Sequence, residues 1–278
     1  MRRTSLYTCE SRRIPSAGRE IRVLICRPVK NAKPREQTPG ILWLHGGGYA
    51  TGMAEMLYFS RALPLVKKYG AVVVAPAYRL SWEAPYPAAL EDCYAALLYL
   101  RDHAEELGVN PRQLMVGGES AGGGLAAALC LYARDRGQVR IAFQMPLYPM
   151  LDDRDTPSSR DNHAPVWNTR RNHLAWRLYL RGLRGKTPPA YAAPARAADY
   201  SGLPPAYTFV GTIEPFYCET RTYIANLRKA GVPACMDVYP GCWHAFDMLA
   251  PFRKVSRRAA ARFERAYRYA ARHFFSYT

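Results

Sequence analysis

Short runs that are apolar at every position recur along the chain, separated by stretches with helical spacing. This alternation limits the fold more than any other feature. Residues 40–44, 71–76 and 114–118 are such runs, and 141–147 and 206–210 also read as strands. A strand that is apolar throughout, rather than at every second position, is covered on both faces. Between the runs, residues 55–69, 87–107 and 125–134 carry helix-forming patterns. The reading is therefore an α/β fold with a mostly parallel central sheet and helices on both faces. Ahead of it, Ile21, Val23 and Ile25 alternate with Arg22, Leu24 and Cys26, and Ala17-Gly18 marks a turn, so residues 5–29 are expected to form two paired strands. The alternation breaks at 151–200, where one helix over 172–180 sits among Asp, Pro and Ala. That stretch is expected to be a small cap insertion within a single domain spanning 1–278.

Composition narrows the partners. A hydrophobic content of 49% over 278 residues supports a sizeable core and excludes a disordered chain. The net charge of +17 raises nucleic acid as a partner. The excess is spread along the chain, however, and its densest part has another account. Residues 251–278 hold eight Arg or Lys against one Glu, while Phe252, Val255, Ala259, Phe263, Ala266, Ala270 and Phe274 recur at helical spacing. A terminal helix with one face docked and a basic face in water explains both, so no nucleic-acid partner is expected. No run approaches the length of a membrane span, so no membrane insertion is expected either. Met1-Arg2-Arg3 is not followed by an apolar segment, and the seven cysteines are scattered, odd in number and without a C-x-x-C pair. Together these features point to reduced thiols in the cytoplasm, with no zinc site. The sequence leaves a homodimer open.

The chemistry concentrates at Gly118-Glu119-Ser120-Ala121-Gly122, which fits G-x-S-x-G. A serine hydroxyl is a weak nucleophile until a base activates it. Here Ser120 falls between an apolar strand and an Ala/Leu-rich helix, the sharp turn that lifts Oγ above a sheet edge. Small neighbours at Gly118, Ala121 and Gly122 let strand and helix approach closely. A phosphate-binding loop would end in Gly-Lys-Ser/Thr, and this one does not.

Three further stretches accompany the elbow in order: His45-Gly46-Gly47-Gly48, the segment YRLSWEAPYPAALED over 78–92, and GCWHAFD over 241–247. With them the chain resembles the bacterial hormone-sensitive-lipase-like esterases, from about residue 40 to 250. The resemblance implies an α/β-hydrolase fold and hydrolysis of short-acyl esters, acetyl to butyryl, with no metal or cofactor and a small-molecule ester as partner. It implies Ser120 as nucleophile and His244 as base, with Gly46, Gly47 and Ala121 offering N–H groups to an oxyanion. The third triad member stands less plainly. Relatives carry Asp-Pro-Leu where this chain reads Glu214-Pro215-Phe216, which makes Glu214 the expected acid, in the Ser…Glu…His order of this fold. Asp152, beyond the strand 141–147, and Glu219 remain rivals. Relatives also begin with helices that form part of a cap, whereas here strand-like residues start almost at once.

Other candidates receive plainer roles. His45 is expected to support its loop, and His103, His163, His173 and His273 carry no motif. Tyr78, Arg79 and Glu119 are expected to be structural supports. Tyr49, Trp82, Tyr86 and Trp167 are expected to surround the substrate. An amide hydrolase with the same triad, or a ligand-binding relative without turnover, are the alternatives.

Overall fold

The computed structural model describes residues 2–29 and 38–276. Its nine strands form one sheet: β1 (Arg2–Arg3), β2 (Tyr7–Ser16), β3 (Arg19–Pro28), β4 (Thr38–Leu44), β5 (Val72–Pro76), β6 (Val109–Glu119), β7 (Phe143–Leu147), β8 (Ala206–Gly211) and β9 (Ala234–Tyr239). The order across the sheet is β1-β2-β3-β5-β4-β6-β7-β8-β9. The first three strands and the β3–β5 pair are antiparallel, and every pair from β5 to β9 is parallel. Helices α1 (Ala62–Tyr69), α2 (Ala88–Asp102), α3 (Ala104–Leu107), α4 (Ala121–Arg136), α5 (Thr169–Tyr179), α6 (Tyr217–Lys229), α7 (Phe246–Leu249) and α8 (Lys254–His273) complete the chain.

The continuous apolar strands are filled on both sides. Leu42, Leu44, Val72, Val74, Leu114 and Val116 pack against α2 and α4 on one face. Ile41, Trp43, Val73, Met115 and Met145 pack against α1 and α8 on the other. Successive side chains of a strand point to opposite faces, so each run supplies both cores at once. Within 151–200, Trp176 and Tyr179 of α5 are buried in the cluster that α2 and α4 share. No helix among the described residues is long and apolar enough to cross a membrane.

Several element boundaries differ from the sequence reading, each for a local reason. The expected helix over 55–69 is a 3₁₀ turn (Ala54–Phe59) followed by α1. The Ser60 hydroxyl accepts from the Ala62 N–H and donates to the Leu57 carbonyl, which competes with helix continuity. The helix expected over 87–107 breaks at His103 into α2 and α3. Helix α4 starts at Ala121, four residues earlier than its Ala/Leu-rich segment, because Gly122 and its neighbours belong to it. A Cβ at Gly122 would lie 2.1 Å from the Leu44 carbonyl oxygen and 2.5 Å from that of His45. Both are backbone atoms with nowhere to go. Gly122→Ala should therefore destabilise the fold, since overpacking of about 3 kcal/mol outweighs the roughly 1 kcal/mol that Ala gains over Gly in a helix. Urea unfolding of the variant checks this; an unchanged midpoint would mean that the helix can withdraw from β4.

Two expectations are corrected outright. Phe252 does not dock: it precedes α8 and is 89% exposed, while Ala259, Phe263, Tyr267 and Ala270 form the buried stripe. The thiols are not all free. Cys9 and Cys26 are partners in the β2–β3 register, with Cα atoms 4.2 Å apart, and they form a disulfide. Spacing along the chain gives no sign of a pairing that depends on hairpin register. The other five cysteines are free.

Candidate active site

Ser120 occupies the turn between β6 and α4 with φ 59° and ψ −123°. Such a conformation costs a non-glycine residue about 1–3 kcal/mol and persists only when the surroundings over-determine it. They do so here. The Ser120 N–H donates to the Leu147 carbonyl at 3.0 Å, and its own carbonyl accepts from Gly124 at 3.0 Å and Met150 at 3.1 Å. The elbow is thus bound to β7 as well as to its own helix.

His244 reaches Ser120 from a loop that follows β9. Its Nε2 lies 2.8 Å from Ser120 Oγ, and its Nδ1 lies 2.5 Å from Glu214 Oε2. Glu214 follows β8, and its other oxygen accepts from the Gly211 N–H at 3.2 Å. The two loops brace each other: Gly241 N–H donates to Thr212 Oγ1, and Ile213 N–H to the Cys242 carbonyl. All three side chains are buried. A carboxylate at Nδ1 selects the tautomer with its proton there, which leaves the Nε2 lone pair facing the serine hydroxyl. Tyr148 and Phe216 hold the imidazole edge-on, each with ring centroids 5.1 Å away.

The rival acids are engaged elsewhere. Both oxygens of Asp152 accept from the Arg154 guanidinium. Glu219 is buried and accepts from the Leu151 and Asp152 N–H groups. The remaining histidines are also accounted for. His45 stacks on Tyr78 and sits 2.8 Å from the Gly46 carbonyl through Nδ1. Burial pushes its pKa down to about 4, so the ring is neutral and props the loop. His103 contacts the Tyr99 carbonyl, His163 Asp161, His173 Asp155, and His273 the Tyr269 ring. Tyr78 donates to the His45 carbonyl, and Arg79 pairs with buried Asp92.

The loop after β4 carries Gly46 and Gly47 to Ser120. A Cβ at Gly46 would lie 3.3 Å from the Ser120 Cβ, so the backbone there runs against the elbow. Among the described residues no carbonyl or side chain takes the N–H of Gly46 or Gly47. Ala121 is the first residue of α4, where N–H groups have no partner within the helix.

The four aromatic residues expected around the substrate separate. Trp167 stands over the site, 6.1 Å from the His244 ring, with its indole leaning on Gly48. Tyr49 is buried in the core, stacked on Tyr179 at 4.0 Å, with its hydroxyl donated to the Met150 carbonyl. Tyr86 packs edge-on against Tyr179, and burial raises its pKa to about 12. Trp82 is 63% exposed. Aromatic content alone does not separate a wall from a core. Conversely, nothing in the sequence singles out Tyr148 or Phe216, although Phe216 lies two residues beyond Glu214.

Comparison with known proteins gives the family. A family described as alpha/beta hydrolase fold matches residues 41–248. Esterase LipI of Mycobacterium tuberculosis is 36% identical over 199 residues, which are 71% of this chain and 62% of LipI. Carboxylesterase NlhH of the same organism is 35% identical over 241 residues, 82% of this chain and 72% of NlhH. A solved bacterial heroin esterase superposes with a TM-score of 0.90 at 37% identity, covering 95% of this chain and 84% of that one. The chain belongs to the α/β-hydrolase fold family, among its hormone-sensitive-lipase-like esterases.

Proposed function

We propose that this protein is a serine carboxylic ester hydrolase acting on acetyl to butyryl esters through an acyl-enzyme. The observation that carries the reading is the buried relay from Ser120 Oγ to His244 Nε2 at 2.8 Å and from His244 Nδ1 to Glu214 at 2.5 Å. Ser120 Oγ attacks the ester carbonyl while His244 Nε2 takes its proton. Glu214 holds the tautomer and offsets the imidazolium charge. The carbonyl oxygen turns toward the N–H groups of Gly46, Gly47 and Ala121, each donor of this kind being worth about 3–4 kcal/mol in the transition state. His244 returns the proton to the leaving alcohol, then activates the water that releases the acid.

We take the chain to be one domain with 151–200 as its cap, since that stretch brings Trp167 over His244. The indole, 6.1 Å from the His244 ring, is the bulky group expected to oppose a long acyl chain. The expected result is that p-nitrophenyl acetate and butyrate turn over roughly tenfold or more faster than the decanoate, an amount that a few kcal/mol of steric exclusion supplies. A kcat/KM series over acyl length measures it, and a maximum at decanoate would discard the short-acyl assignment. We also assign the protein to the cytoplasm on its five free thiols; Cys9 and Cys26 are 1% and 0% exposed, out of reach of thiol reductants there.

A further inference from the structure

Beside the residues of the Ser120–His244 contact lies a buried charged cluster that the reaction described above does not use. Glu119 immediately precedes Ser120, and Asp247 follows His244 by three residues. Arg61, at the N-terminal end of α1, touches both. Its backbone N–H donates to Glu119 Oε1 at 3.2 Å. Its guanidinium Nη2 donates to the Asp247 carbonyl at 3.1 Å, and Nε lies 2.9 Å from Asp247 Oδ2. The second Glu119 oxygen accepts from the Trp43 indole N–H at 2.8 Å, which ties the cluster to β4. Asp247 is fully buried and pairs ionically with Arg61, and Tyr148 also favours its charged form.

Two strained backbone positions flank this cluster. Ser120 has φ 59°, and Ala245, next to His244, has φ 57°. Neither residue is a glycine, so both conformations need outside support. The elbow comes from β6 and the histidine from the loop beyond β9, and two strands, β7 and β8, lie between them in the sheet. A shift of one against the other would open the 2.8 Å contact on which proton transfer depends. Arg61 is joined to the immediate neighbourhood of both, to Glu119 through its backbone N–H and to Asp247 through its guanidinium.

We infer that Arg61 is a positioning residue: by engaging Glu119 and Asp247 together, it fixes the nucleophile elbow and the histidine loop at the separation that proton transfer requires. Burial supports the arrangement. It pushes the Glu119 carboxyl up to about 8 and raises that of Asp247, which Arg61 partly offsets. With burial holding Glu119 toward its neutral form, Arg61 and Asp247 pair with less competition from a second buried negative charge.

The inference rests on the proposed function, and the test separates the two. Arg61→Met, Arg61→Lys, Asp247→Asn, the double variant Arg61→Met/Asp247→Asn and Ser120→Ala are compared on p-nitrophenyl acetate, below the Tm of each. Serines titrated by an organophosphate give kcat per competent site. Arg61→Met is expected to lower that kcat at least about tenfold, with KM within about threefold, because a misplacement near 1 Å costs on the order of 100-fold. Arg61→Lys should recover part of the loss, and the double variant should exceed Arg61→Met because no buried carboxylate is then left unpaired. A role in stability alone would lower Tm and the number of titratable serines while kcat per site stayed unchanged, and that result overturns the inference. Should Arg61→Met fail to fold, Asp247→Asn decides: wild-type kcat per site there overturns it equally. If Ser120→Ala retained activity, the proposed function itself would fall, whatever the Arg61 variants did.

Discussion

Replacing Ser120 by Ala is expected to leave a folded protein that hydrolyses esters at least about 10³-fold more slowly, the scale seen when a triad nucleophile is removed and only oxyanion donors and binding remain. Stability should hardly change. The side chain is buried, but the position is defined by backbone contacts to Leu147, Met150 and Gly124, which Ala keeps. Loss of Oγ leaves His244 Nε2 without its 2.8 Å partner, but a neutral imidazole nitrogen can take a water in that space. Circular dichroism and thermal melting test the first half, and kcat on p-nitrophenyl acetate the second. Near-normal kcat in a cleanly folded variant would remove Ser120 from the mechanism.

Glu214→Gln carries the second large effect, on the order of 10⁴-fold in kcat by the scale of triad acids replaced by their amides. The reason is particular to this site. One carboxylate oxygen accepts from the His244 Nδ1–H and the other from the Gly211 N–H. An amide has one acceptor oxygen, and its NH₂ can accept from neither. If the oxygen turns to His244, the buried Gly211 N–H faces a donor; if it turns to Gly211, the imidazole flips to the wrong tautomer. Either way the imidazolium loses its counter-charge. Asp152→Asn serves as the control. Its carboxylate is occupied by the half-exposed Arg154 and does not touch His244, so activity should stay within about threefold. Reversed phenotypes would require the triad to be redrawn around Asp152.

Much of the site is legible in the sequence because its chemistry is local. A serine among glycines between an apolar strand and a helix, a glycine run after another strand, and a histidine in a short loop are each defined by neighbours a few residues away. The sheet is legible for the same reason. A strand apolar on both faces declares that it is covered on both faces, and the cores on the two sides of β4 and β5 bear that out.

What the chain's own residues determine, then, is the set of elements and the short motifs that end them. Which distant residues meet is decided by tertiary structure. Glu214 is the acid that the sequence favours, but Asp152 and Glu219 are carboxylates with the same chemistry. The parallel order β7-β8-β9 sets Glu214 against His244 and leaves Glu219 under the chain at Leu151, while Asp152 pairs locally with Arg154, two residues on. Tyr49 reads as a pocket wall and is core, while Phe252 reads as core and lies in water. Cys9 and Cys26, and Arg61 and Asp247, are pairs that no spacing announces. Backbone periodicity is written within a few turns of helix or a single strand. A side-chain contact across 186 residues, as between Arg61 and Asp247, depends on the register and stacking of every element between them, and it exists only once the sheet has closed.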